Sequence, residues 1–245
     1  MLLLTILTYA IQVALVIHVI RTGRNQLWIW VLILLPFGVG AIAYLAVEIL
    51  PELFRSRTAR RAARGFRKAM DPGAELRRYE HEARVAGHVA SRQRYAEELV
   101  RHERYDEAIA QYQQALTGLY QHDPNLMLGL AQAQFGKGEA GAARVTLDEL
   151  IRQNPQFRSP AGHLLYARAL AAEGNVAKAL EEYRVLAPSY PGAEAAVRYA
   201  QLLEAQGQRA EAQKVARELL EQARIAPGHY RRAQRAWLEA AQRLL

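Results

Sequence analysis

The sequence predicts an all-α chain of two unlike parts: an N-terminal transmembrane helical hairpin, then an α-solenoid of about four helix pairs with a C-terminal capping helix. Three observations carry this. Two long apolar runs fill the first fifty residues, and a pattern of alanines recurs at near-constant spacing over the remainder. Ala, Leu, Arg, Glu and Gln dominate the composition, which favours helix. The 245 residues include no Cys, which excludes disulfide frameworks, thiolate metal sites and cysteine nucleophiles together. The formal net charge is +8, but residues 1–70 hold nine Lys/Arg against two acids, so +7 of it belongs to the amino-terminal part. A nucleic-acid-binding chain spreads basic charge along its binding domain, so that class is set aside.

The first apolar run, about residues 2–20, carries no charge and is interrupted only by Thr5, Thr8, Gln12 and His18. The second, about 27–47, is broken only by Pro36, Gly38 and Gly40. Crossing ~30 Å of hydrocarbon takes ~20 apolar residues, and both runs qualify. The short polar connector Arg21-Thr-Gly-Arg-Asn-Gln26 makes them an antiparallel hairpin, with Trp28, Trp30 and Tyr44 toward the interfaces. Pro36 and its neighbouring glycines serve helix packing in the hairpin. A cleaved leader is not expected, because no positive n-region and no small-x-small site are present.

Seven basic residues follow without an acid: Arg55, Arg57, Arg60, Arg61, Arg64, Arg67 and Lys68. Positive charge stays cytoplasmic, so the carboxyl-terminal side and the amino terminus face inward, while the Arg21/Arg24 loop emerges outside. Most of these seven recur at helical spacing and form an amphipathic collar. Each Lys/Arg near an anionic leaflet contributes about 1 kcal/mol, so the collar is also a candidate anionic-lipid site. The predicted organisation is a hairpin over 1–52, a basic juxtamembrane helix and connector over 53–87, and a solenoid with its cap over 88–245.

Trp30, Leu34-Leu-Pro-Phe-Gly38, Ala41-Ile-Ala-Tyr44 and Glu48 resemble the two-helix N-terminal segment of cardiolipin synthases and related phospholipase D proteins. The resemblance covers about residues 10–50 and implies a bacterial inner-membrane anchor. Those synthases work through paired His-x-Lys motifs. None of the seven His here is followed two places later by Lys, so only the anchor is shared.

The remainder reads as a repeat. Small residues stand at Ala96, Ala131, Ala167 and Ala200, and a second set of alanines at 108, 143, 179 and 212, spaced 35, 36 and 33 apart. Tyr112, Leu147, Tyr183 and Ala216 follow the second set four residues later. This pattern is similar to tetratricopeptide repeats over about residues 88–222, with Ala96, Ala131, Ala167 and Ala200 at the eighth position. The resemblance implies helix pairs whose small residues permit close approach, although Ala216 is small for its place. Pro227-Gly228 opens the capping stretch, with Trp237 as its core anchor. Solenoids need such an atypical end.

No phosphate loop, nucleophile elbow or zinc-protease motif is present, and His81, His88 and His102 are too widely spaced for a metal site. The chain reads as a non-enzyme with no cofactor and no metal. In tetratricopeptide repeats the first helix of each pair lines a groove. The resemblance therefore assigns Gln93, Glu97, Leu128, Gln132, Phe135, Leu164, Arg168, Val197 and Gln201 to a surface suited to an extended peptide or partner helix. Gln93 and Glu97 stand where some repeat domains carry Lys and Asn to clamp a terminal carboxylate, which argues against that chaperone-adaptor role. The expected function is a scaffold or adaptor anchored in the bacterial inner membrane, binding a protein partner on the cytoplasmic side. An accessory role in anionic phospholipid metabolism, acting through hairpin and collar, is the alternative.

Overall fold

The computed structural model describes residues 13–21, 27–34, 47, 71 and 73–245. They divide into two units, Met1–Ala74 and Glu75–Leu245.

In the first unit, residues 13–21 are helical and α1 spans Leu27–Leu34. Val19 and Leu32 are buried together, with Leu15, Val16, Trp28 and Ile29 packed against them. Val13, Ile17, Ile20, Leu27 and Trp30 face outward. No helix among the described residues is long and apolar enough to cross a membrane. The predicted spans lie largely, and the collar from Arg55 to Lys68 wholly, outside the described residues.

The second unit is helical throughout its regular elements. A leading helix, α2 (Ala74–Ala86), is followed by four pairs: α3 (Val89–Arg101) with α4 (Tyr105–Ala115), α5 (Pro124–Gly136) with α6 (Ala140–Gln153), α7 (Pro160–Ala172) with α8 (Val176–Leu186), and α9 (Glu194–Ala205) with α10 (Arg209–Ile225). Two short helices, α11 (Gly228–Ala233) and α12 (Arg235–Gln242), close the chain. Each second helix packs on the first helix of the next pair, and α12 covers α9 and α10. The leading helix is part of this unit, since Leu76 and Ala83 are buried in the core of the first pair.

The local causes repeat as well. The turn within each pair is a Schellman motif, in which one backbone N–H reaches back five residues and its predecessor three. The longer bonds are Arg104 N to Leu99 O, Glu139 N to Gln134 O, Asn175 N to Leu170 O and Gln208 N to Leu203 O, each 2.9 Å. The motif demands a left-handed residue, and Gly138, Gly174 and Gly207 supply it with φ of 93°, 81° and 76°. Between pairs, Asp123 caps α5 by accepting from Asn125 N and Leu126 N, and Ser159 caps α7 by accepting from Gly162 N. Pro124 and Pro160 follow at the first helical position, where a missing N–H costs nothing. The 36-residue interval is taken up by a longer α6, 14 residues against 11 in α4 and α8.

Packing follows the alanines. Ala96, Ala131, Ala167 and Ala200 are all 0% exposed, and Ala108, Ala143, Ala179 and Ala212 at most 1%. Side chains of one methyl let two helix axes approach to ~8 Å, the short end of the usual range. Tyr112, Leu147 and Tyr183 then fill the space between neighbouring pairs. At the fourth pair the small Ala216 shares its core with Ala241 and Leu244 from the carboxyl-terminal segment, so the capping helix fits where a larger side chain would stand.

The first pair departs from the turn rule, because Glu103 adopts φ 58° where its counterparts are glycine. A left-handed non-glycine residue costs ~1–2 kcal/mol, partly offset by the lower chain entropy it has when unfolded. Glu103→Gly is therefore expected to raise stability by about 0.5–1 kcal/mol, read as a higher urea midpoint of the helical signal. A lowered midpoint would contradict this account of the turn.

Candidate partner-binding groove

The first helices α3, α5, α7 and α9 contribute one face of the second unit. Four of the residues assigned to it by register meet at a single cavity of about 390 Å³: Gln93 and Glu97 from α3, Leu128 and Gln132 from α5. Gln93 Nε2 donates to Glu97 Oε1 at 3.0 Å, which sets the rotamers of both. Glu97 and Gln132 are exposed and Leu128 is half-buried, so polar groups surround an apolar patch. Tyr112 and Gly129 also line the cavity. Burial, assisted by the nearby Glu97 charge, pushes the Tyr112 hydroxyl above its ordinary value, and the phenol stays neutral.

Gly129 explains how the aromatic ring fits. A Cβ at this position would stand 2.4 Å from Tyr112 Cζ, well inside van der Waals contact. The glycine lets α5 pass directly over the ring.

Further along the same face, Phe135 of α5 lies under Arg168 of α7, with the guanidinium carbon 4.6 Å from the ring centroid. Arg168 is half-buried, and its Nη1 is 4.0 Å from Glu194 Oε1. That oxygen accepts a hydrogen bond from Arg198 Nε at 2.8 Å, and Arg198 stacks over Trp237 at 5.1 Å. Phe135, Arg168, Glu194, Arg198 and Trp237 thus form a chain of contacts linking three first helices and the cap. Burial, then repulsion from Arg198, draws the Arg168 guanidinium below its ordinary value, with Glu194 acting in the opposite sense.

The remaining assigned residues separate by exposure. Gln201 is exposed. Leu164 and Val197 retain only 4% and 1% of their surface and belong to the core between the third and fourth pairs. They hold α7 and α9 in place and offer a partner no surface. Sequence register missed Glu194, Arg198 and Trp237 as members of this face. The signal was available in the Glu194–Arg198 spacing of four, which pairs opposite charges on one helix face. On α9 the register chose Val197 as well as Gln201, and Val197 lies one residue short of the half-buried Arg198.

A second cavity, about 420 Å³, opens between α6, α7 and α8 and is lined by Leu147, Ile151, Phe157, His163 and Glu182 among others. Leu128 lines this cavity as well as the first. His163 Nε2 and Glu182 Oε2 are 2.7 Å apart at its polar side, and Tyr166 Oη donates to Asp148 Oδ1 at 2.9 Å.

Residues 99–162 match the family model described as tetratricopeptide repeat. Within the solenoid, residues 99–162 are therefore similar to tetratricopeptide repeats. Solved structures agree on the fold. A thermophilic tetratricopeptide repeat protein of Thermus thermophilus, TTC0263, superposes with a TM-score of 0.52 at 18% identity, covering 68% of this chain and 88% of that one. MamA gives 0.54 at 20% identity over 66% and 90%, and pilF of Pseudomonas aeruginosa gives 0.53 at 18% over 73% and 77%. A search of curated protein sequences found no match. The matches concern the repeats.

Gly129→Ala is expected to destabilise the repeats by about 1–3 kcal/mol through overpacking against Tyr112, read by urea unfolding. An unchanged midpoint would show that the ring is free to move aside.

Proposed function

We propose that this chain is a non-catalytic scaffold anchored in the bacterial inner membrane, holding a protein partner on the first-helix face of its repeats at the cytoplasmic side. The observation that carries the proposal is the composition of that face. Leu128 and Phe135 are half-buried apolar groups, and Glu97, Gln132 and Gln201 stand exposed beside them on the same set of helices. Interfaces that bind extended segments combine such an apolar centre with a polar rim. Amides, apolar groups and ion pairs are suited to binding rather than to bond-making.

The anchor is supported by the sequence. Two runs of ~20 apolar residues meet the length a bilayer demands. The seven basic residues from Arg55 to Lys68 favour an inward-facing solenoid.

Two measurements test the reading. Alkaline carbonate washing of membranes is expected to leave the full chain in the pellet and to release a variant lacking residues 1–52. Release of the full chain would remove the anchor from the account. Purification in mild detergent is expected to recover a protein partner with the intact chain. A Leu128→Glu/Gln132→Lys variant of equal helicity should lose it. Equal recovery with both chains would overturn the groove.

A further inference from the structure

Two arginines on neighbouring first helices share one carboxylate. Arg198 Nε donates to Glu194 Oε1 at 2.8 Å, while Arg168 Nη1 stands 4.0 Å from the same oxygen, too far for a hydrogen bond. Arg168 is held in this position by Phe135 beneath it, and its Nε is buried without an acceptor among the described residues. Arg198 is backed in the same way by Trp237. The other groups that act on Arg168 are the phenols of Tyr183 and Tyr190, which bring no charge at neutral pH. The cluster therefore carries two positive charges against one negative. About a third of each arginine side chain remains open, 32% for Arg168 and 31% for Arg198, so a ligand can reach both.

We propose that Arg168 and Arg198 form a carboxylate subsite, which takes an aspartate or glutamate side chain from a partner segment lying along the first-helix face. This rests on the groove reading given above and names the partner's chemistry. A guanidinium presents a planar fork of donors that matches a carboxylate, and the donors of Arg168 are not satisfied by Glu194. The charge count selects the ligand. One carboxylate brings the cluster to neutrality, whereas a phosphate dianion would leave a net negative charge beside Glu194. Phe135 and Trp237 flank the two cations, so the segment recognised carries its acid among apolar residues.

The test uses a displayed random-peptide library selected on the full-length chain in detergent, followed by synthetic peptides. Selected sequences are expected to share an acidic position among apolar ones. Replacing that aspartate by asparagine should weaken binding to the wild type about tenfold or more, since a hydrogen bond to a charged group contributes that much or more. On Arg168→Gln, whose folding is checked by thermal unfolding, the same peptide pair should differ less than about twofold. The peptide-side change keeps the test valid even where a protein variant is unstable. Selected peptides without an acidic position, or equal binding of the aspartate and asparagine forms to wild type, would overturn the subsite and leave the groove standing. A library that yields no binder at all would overturn the groove, and the subsite with it.

Discussion

Two alanines per helix pair set the dimensions on which the repeats depend. With Ala96 against the first pair's partner helix, and Ala131, Ala167 and Ala200 in the same place further on, the axes come as close as backbones allow. Tyr112, Leu147 and Tyr183 can fill the inter-pair space because the intra-pair space needs so little. Because each repeat touches only its neighbours, the stability of such a stack is a sum of local terms, and a fault in one pair is felt mainly by the next. The Schellman turns serve the same end, reversing the chain within a few residues so that the two helices of a pair stay in register.

The groove is a consequence of this geometry. Once the second helices and the alanines are committed to packing, one side of each first helix is left over. Its residues are free of structural duty, and there the chain places amides, two apolar groups and a paired set of charges. Gly129 marks the boundary between the two roles: its missing side chain lets Tyr112 complete the core below while the cavity opens above. Leu164 and Val197 fall on the structural side of the same boundary.

Much of the fold was legible in the sequence because repetition amplifies weak local signals. A single alanine says little, but eight at matched intervals specify helix pairs, and three glycines at one register position specify their turns. The capping helix was legible through Pro227-Gly228 and Trp237. What the sequence did not reveal was exposure within the first helices. Register places Leu164, Val197 and Leu128 at equivalent positions, yet Leu164 and Val197 are buried by the tight third and fourth pairs, while Leu128 stays half-open beside Gly129. The Phe135–Arg168–Glu194–Arg198–Trp237 contacts join residues far apart in the chain, and no local pattern encodes that juxtaposition. The separation of Leu76 and Ala83 from the connector, and their place in the first core, was likewise a matter of tertiary packing.

The central claim is that a partner lies on the first-helix face, and site-specific photocrosslinking in living cells tests it most directly. A benzophenone side chain would be placed at Gln132, exposed on α5, and in a second strain at Val145, 57% exposed on α6. The account predicts a discrete crosslinked adduct from Gln132 and none from Val145. An adduct from Val145 alone, or from neither position, would contradict it.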